Sequence, residues 1–407
     1  MAGLEERFAP PQCFADAVDR LHDLVAEQVG SDDFGPDDYL PGLRVLLMSM
    51  DYDPHFSERG RRIAWGEVVS ALSGRARAIK SMAENPGFDR HAITRPVVIT
   101  GIPRTGTTAL HKLLAADPQF QGLQTWLVGA PMPRPPRETW ESNPSFQRTV
   151  EQLKRRYEAT PQSRAAHLMV ADEVDECCFV LRQGFVSNLW TCGWSAATYD
   201  AWWQCQSELP AYRHLARTLR LVGSNEPQKR WLLKNPGHIA NLGLLFAVFP
   251  DALVVQTHRD PAKAIPSLCA LLMYRHPIME EGRYRERAHN MLARETAKWS
   301  AAVRDAEAVR QSRPQQVLDV IHGDFHRDPM HTIERMYAFA GLELPPAVRS
   351  AMLQRIEARP ELSHGVHRYD VADFGMTQNE IRERFGDYTS RFGLIEQRAA
   401  RDRSVVT

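Results

Sequence analysis

Apolar residues near the start of the chain recur at three- and four-residue intervals. Phe14, Val18, Leu21, Leu24 and Val25 form one stripe, and residues 37–50 and 57–82 carry two more, the period that gathers side chains on one face of a helix. A helical segment is predicted from residue 13 to the turn residues Asn85-Pro86-Gly87, which end it. The pattern then changes. Arg95-Pro-Val-Val-Ile-Thr-Gly101 is an apolar run that passes into a Gly/Pro turn, and 107–116 resumes a helical period, which reads as a buried strand, a turn and a helix. Short apolar runs at 230–234, 252–257 and 316–321 read as further strands, the first two each followed by a helical pattern. Alternation of this kind predicts an α/β fold: a P-loop-containing parallel sheet flanked by helices, with ligand sites beyond the carboxyl ends of the strands. The expected organisation is a helical N-terminal extension over 1–90 and an α/β domain over 91–407, with a helical insertion at 140–225. Pro131, Pro133, Pro135, Pro136 and Pro144 exclude a helix or central strand from most of 129–146, so a long surface loop is predicted there.

With 407 residues, 43% hydrophobic and 25% charged, the chain is able to bury a core of its own. Fifty basic and fifty acidic residues cancel to a formal net charge of zero. No whole-molecule field then draws it to nucleic acid or an anionic membrane, and any anion site must be local. Cys13, Cys177, Cys178, Cys192, Cys205 and Cys269 form no C-x-x-C pair and no zinc-type cluster, which predicts free thiols in a reducing compartment. Residues 1–7 lack a basic stretch leading into an apolar one. The apolar run at 242–255 is broken by Pro250-Asp251, short of the ~18 residues a membrane span needs. A soluble, cytoplasmic protein is expected, with a small molecule as its partner and no nucleic acid. Whether it forms a homo-oligomer is left open.

Three segments carry candidate chemistry. Gly101-Ile-Pro-Arg-Thr-Gly106-Thr107-Thr108 has the spacing of a phosphate-binding loop, with Thr107 where the lysine belongs. Turn amides, a helix N-terminus and hydroxyls make a nest for an oxyanion without that lysine, but the grip on a triphosphate's outer phosphates is missing. Lys234-Asn-Pro-Gly-His238 places a cation and a proton acceptor either side of a turn at a strand end, where both can face the crevice. Arg259 ends another strand and Ser267 follows eight residues on, so the two can converge on one phosphate. A protein-kinase reading of Ala78-Ile-Lys80, His258-Arg-Asp260 and Asp373-Phe-Gly375 fails on spacing, because Ile265 stands where the catalytic loop needs asparagine and no glycine-rich loop precedes Lys80.

Together these segments resemble the sulfotransferase family, in particular the bacterial sulfotransferases related to the tyrosylprotein sulfotransferases. Pro103-Arg-Thr-Gly-Thr-Thr108 resembles the family's 5′-phosphosulfate loop, and Lys234 stands in its K-x-P context. The likeness is continuous over about 95–124 and 229–275, looser over 324–329 and 364–375, and does not reach the first 90 residues. It implies transfer of a sulfuryl group from 3′-phosphoadenosine 5′-phosphosulfate (PAPS), the co-substrate, with no metal. Pro103, Arg104, Thr105, Gly106, Thr107 and Thr108 would hold the donor's 5′ end, and Arg259 and Ser267 its 3′-phosphate. Lys234 would meet the bridging oxygen of the leaving group. His367, Arg368 and Tyr369 are assigned to the adenosine or 3′-phosphate side. Relatives with a carboxylate soon after the first helix use it as base, and 123–127 offers none. His238 is the first choice for the base, since cytosolic members use a histidine two residues after the lysine, here four. A carboxylate from 172–176, where Asp172 or Glu173 would share a helix face with Glu176, is the second. Trp190, Trp194, Trp202 and Trp203, with Met169 and Phe185, suggest an apolar or aromatic alcohol or amine as acceptor, or else simply pack helices together. The rival readings are a P-loop small-molecule kinase and a non-enzymatic nucleotide-binding scaffold.

Overall fold

The computed structural model describes residues 9–160, 164, 168–358 and 375–395. Three helices come first: α1 (Val18–Val29), α2 (Leu40–Tyr52) and α3 (Glu58–Glu84). Helix α3 starts where the Ser57 hydroxyl accepts the Gly60 N–H at 2.9 Å, an N-cap, and ends at Asn85 as its turn residues predict. Lys80 on α3 donates to the carbonyls of Val29 and Gly30, so the lysine of the kinase-like tripeptide closes the C-terminus of α1. Arg75 is buried on the same helix, donates to the Phe34 and Pro36 carbonyls and pairs with Asp38 at 2.7 Å. These helices do not close a core alone. Leu21, Leu46, Trp65 and Leu72 pack with Phe185, Trp190, Trp194 and Tyr199 from the middle of the chain.

The sheet has five parallel strands: β1 (Val97–Gly101), β2 (Phe120–Gln121), β3 (Arg230–Lys234), β4 (Leu253–His258) and β5 (Val317–Ile321), in the order β2-β3-β1-β4-β5. Alternate residues of β1 serve opposite faces: Val98 packs with Leu233 and Val254, whereas Val97 and Ile99 pack with Leu232 and Val255. Both faces are covered, which is why the strands read as unbroken apolar runs. Strand β1 has β3 on one side and β4 on the other, with Ile99 opposite Lys234 and Gly101 opposite Thr257. The carboxyl ends of these three strands therefore lie side by side where the strand order reverses, the place at which such sheets bind ligands.

Four of the five strands fall where the sequence pattern puts them; β2 has too few residues to show a period. The predicted helical stretch from 145 to 220 breaks into α5 (Pro144–Ala159), α6 (Ala197–Trp203) and α7 (Leu209–Val222), after α4 (Thr107–Leu114) has followed β1. Between α5 and α6 the described chain holds the extended acidic segment 172–176, a single helical turn at Cys178–Leu181 and two 3₁₀ turns, Arg182–Gly184 and Asn188–Thr191. Among the described residues no helix is long and apolar enough to cross a membrane.

Candidate active site

The turn between β1 and α4 is shaped by three residues with positive φ: Gly101 at 142°, Arg104 at 69° and Gly106 at 88°. Such a turn points amides inward, and the first amides of α4 have no intrahelical acceptor, so the turn and the helix start form one anion-binding nest. Thr107 is buried at the first position of α4 and Thr108 follows it. The Thr105 hydroxyl works inside the loop: it donates to the Ile102 carbonyl at 2.7 Å and meets the Thr257 hydroxyl at 2.5 Å, fastening the turn to β4. Gly101 is required on two counts, since a β-carbon there would lie 2.6 Å from the Thr257 hydroxyl oxygen, in a backbone conformation side chains avoid. Gly101→Ala is expected to cost about 1–3 kcal/mol, read as a lowered urea midpoint at unchanged slope; an unchanged midpoint would show that the turn relaxes freely.

Arg259 and Ser267 come to this turn from β4 and the helix after it, α8 (Pro261–Met273). Arg104 Nε donates to Ser267 Oγ at 3.2 Å, and Arg259 donates to the Arg104 carbonyl at 2.8 Å. The two segments that the sequence assigns to anion binding thus meet at one residue. Asp260, next to Arg259, caps α8 by accepting the Ala262 N–H at 3.0 Å and pairs with Arg382. Helix α9 (His322–Arg327) covers the turn, with His322, Phe325 and His326 facing Gly106. His322 stacks on His326, and burial together with the charges of His326, Arg259 and Lys263 pushes its pKa down to about 3. Sequence reading missed this histidine pair, although 322 and 326 stand one helical turn apart.

Lys234, the last residue of β3, is only 1% exposed and forms an ion pair with Glu176. It lines a small, narrow pocket whose polar wall includes Thr108, His111 and Asp175 and whose apolar wall is Leu168, Met169, Val170 and Val174. The last turn residue of the nest and the lysine therefore face one space. His111, one turn beyond Thr107 on α4, is buried with its Nε2 unpartnered among the described residues. Burial and then the charge of Lys234 lower its pKa to about 3, so the ring is neutral.

The carboxylates 172–176 do not share a helix face. Val174 makes an antiparallel bridge to Gln124, Asp175 N–H donates to the Leu123 carbonyl and Cys177 N–H to the Lys234 carbonyl, so the segment is a strap laid across the ends of β2 and β3. Asp172 pairs with Arg137, Glu173 with Lys112 and Arg355, Asp175 accepts from Thr125, and Glu176 alone reaches Lys234. The expectation that His238 faces the crevice beside Lys234 is corrected. The chain after Asn235 coils into a 3₁₀ turn, Pro236–Asn241, that carries His238 inward to full burial, with Nδ1 2.7 Å from the Tyr212 hydroxyl. Burial holds its pKa near 3; neither it nor Glu176 lines the pocket, but Glu176 reaches the lysine that does. Tyr369, with His367 and Arg368, lies outside the described residues.

Of the two readings of the tryptophans, the packing one holds. Phe185, Trp190, Trp194 and Trp203 are buried in the core shared with α1–α3, and Trp202 packs against it; of that group only Met169 lines the pocket. The cysteines are unpaired, and among the described residues no group of three or more His, Cys, Asp or Glu is placed to hold a metal ion.

A sequence profile of the sulfotransferase family matches residues 96–346. The crystal structure of sulfotransferase STF1 from Mycobacterium tuberculosis superposes with a TM-score of 0.82 at 35% identity, over 92% of this chain and 100% of that one. Sulfotransferase STF9 from Mycobacterium avium superposes with a TM-score of 0.84 at 24% identity, over 93% and 97% of the two chains. A search of curated proteins finds no match. The chain belongs to the sulfotransferase family and is a transferase, which sets aside the kinase and scaffold readings.

Proposed function

We propose that the enzyme moves a sulfuryl group from PAPS to a hydroxyl, or an amine, of a small acceptor with an apolar body, releasing 3′-phosphoadenosine 5′-phosphate. The observation that carries this reading is the meeting at Arg104: the nest that suits a 5′-phosphosulfate and the Arg259–Ser267 pair that suits a 3′-phosphate are joined by its side chain and its carbonyl. One nucleoside with anionic groups at both its 5′ and its 3′ positions fits such an arrangement better than a triphosphate, because the loop lacks the lysine that a γ-phosphate needs. Pro103 shapes the turn that holds the 5′ end, Thr105 and Gly106 donate by their amides, Arg104 by its guanidinium, and Thr107 and Thr108 by their hydroxyls.

The acceptor oxygen attacks sulfur in line with the departing bridging oxygen. As the new O–S bond forms, the old S–O bond breaks and its electron pair goes to the bisphosphate, where Lys234 stabilises the growing charge. The acceptor's proton passes to Glu176, which the strap holds against Lys234. Leu168 to Val170 and Val174 contact the acceptor's apolar part, and the neutral His111 faces its polar end.

Calorimetric titration with 3′-phosphoadenosine 5′-phosphate tests the reading. Binding is expected without magnesium, and Arg259→Ala is expected to weaken it about tenfold to a hundredfold through loss of a charge-assisted hydrogen bond. Adenosine 5′-phosphosulfate, which has no 3′-phosphate, should bind wild type and variant alike; equal losses for the two ligands would remove Arg259 from the 3′ site, and binding of ATP–magnesium in place of the bisphosphate would end the reading.

A further inference from the structure

The carboxyl-terminal segment returns to the strand end that carries Arg259. Helix α10 (Gln378–Arg384) presents Arg382 to Asp260 in a bidentate pair, Nε to Oδ1 at 3.2 Å and Nη2 to Oδ2 at 2.7 Å. Farther along, the Tyr388 hydroxyl meets His258 Nδ1 at 3.0 Å. The residues on either side of Arg259 are thus both fastened to the segment 378–388, whereas Arg259 itself reaches the Arg104 carbonyl.

Asp260 is 3% exposed and held in place as the cap of α8. A buried carboxylate beside a phosphate-binding arginine acts against binding in two ways. It repels the incoming phosphate across a medium that screens poorly, and it competes for the guanidinium. A bidentate arginine removes both effects, because it cancels the charge and fixes the plane of the carboxylate. We infer that Arg382 is a positioning residue for the donor's 3′-phosphate: its pairing with Asp260 keeps that carboxylate from Arg259 and neutralises it. This rests on the functional reading above, in which Arg259 takes the 3′-phosphate.

The test is parallel titration of the full chain with 3′-phosphoadenosine 5′-phosphate and with adenosine 5′-phosphosulfate. Arg382→Gln is expected to raise the dissociation constant of the bisphosphate about tenfold or more, the size of one unscreened charge at short range, and to leave the ligand without a 3′-phosphate within about threefold. The double variant Asp260→Asn with Arg382→Gln is expected to recover wild-type affinity within about threefold, since asparagine caps a helix as well as aspartate does. Thermal unfolding of each variant is measured alongside. If Arg382→Gln does not fold, Asp260→Asn alone decides: it should bind the bisphosphate at least as tightly as wild type, and weaker binding overturns the inference. So does an Arg382→Gln protein with unchanged affinity, an equal loss for both ligands, or a double variant that recovers nothing. A wild-type protein that binds neither nucleotide overturns the functional reading and this inference with it; one that binds both while the variants behave alike overturns the inference alone.

Discussion

Lys234→Ala is expected to lower kcat by about 10²–10³, the loss seen when one preorganised donor is withdrawn from a developing oxyanion. The effect falls on kcat because the charge that Lys234 meets on the bridging oxygen grows only as the S–O bond breaks, and an interaction made chiefly in the transition state does not tighten ground-state binding. The KM for PAPS, in which that charge has not yet grown, should therefore change far less than kcat. The ion pair with Glu176 complicates the variant, since removing one partner of a largely buried pair is itself destabilising. Lys234→Met retains the aliphatic stem against the pocket wall and separates packing from charge: an electrostatic rate loss appears in Met and Ala alike and loss of packing is confined to Ala, while the cost of the broken ion pair, common to both, is read in the unfolding temperature. Initial rates with PAPS and 4-nitrophenol as a probe acceptor, read beside the unfolding temperature, make the comparison. A Lys234→Met enzyme that retains a third or more of the wild-type kcat would take Lys234 out of leaving-group stabilisation.

What the sequence disclosed and what it hid have physical causes. Strands β1, β3 and β4 are buried and the edge strand β5 is half-buried, so each is a largely apolar run bounded by turn signals and needs no partner to be recognised. The chemistry of Arg104, Arg259 and Ser267 was legible as residue types at strand ends; the closure of Arg104 onto Ser267 across 163 residues of chain was not, because it is a tertiary contact. The acidic segment shows the limit of spacing arguments. Asp172 and Glu176 stand four apart as on a helix face, but nothing around them supplies an apolar helical stripe. The conformation is decided instead by Val174 pairing with Gln124, a contact the local sequence does not encode. The tryptophans left two readings open for a related reason. An aromatic cluster announces burial but not its partners, and these residues found theirs in α1–α3, more than a hundred residues upstream.

His238 and a carboxylate from 172–176 are rivals for the base in the sequence, and Glu176, the one that reaches Lys234, turns the choice into a sharp experiment. Glu176→Gln is expected to reduce kcat by about 10²–10⁴, the range for a positioned general base, when assayed as above. Binding of 3′-phosphoadenosine 5′-phosphate should be retained or strengthened, because an amide in place of the carboxylate leaves Lys234 with an uncancelled positive charge facing an anionic ligand. A merely structural carboxylate would behave differently, lowering stability and nucleotide affinity together. His238→Phe is the counterpart. Its ring is fully buried against Tyr212, and with a pKa near 3 its protonation does not change across the neutral range, so no bend in the pH–rate profile between pH 6 and 8 belongs to it. Once normalised to folded protein, the His238→Phe enzyme should turn over within about tenfold of wild type, because packing around a buried ring, not proton transfer, is what it alters. The reverse result, a severe loss in His238→Phe with Glu176→Gln nearly intact, would require the 3₁₀ turn at 236–241 to swing the imidazole into the crevice during turnover, and would return the base to the histidine.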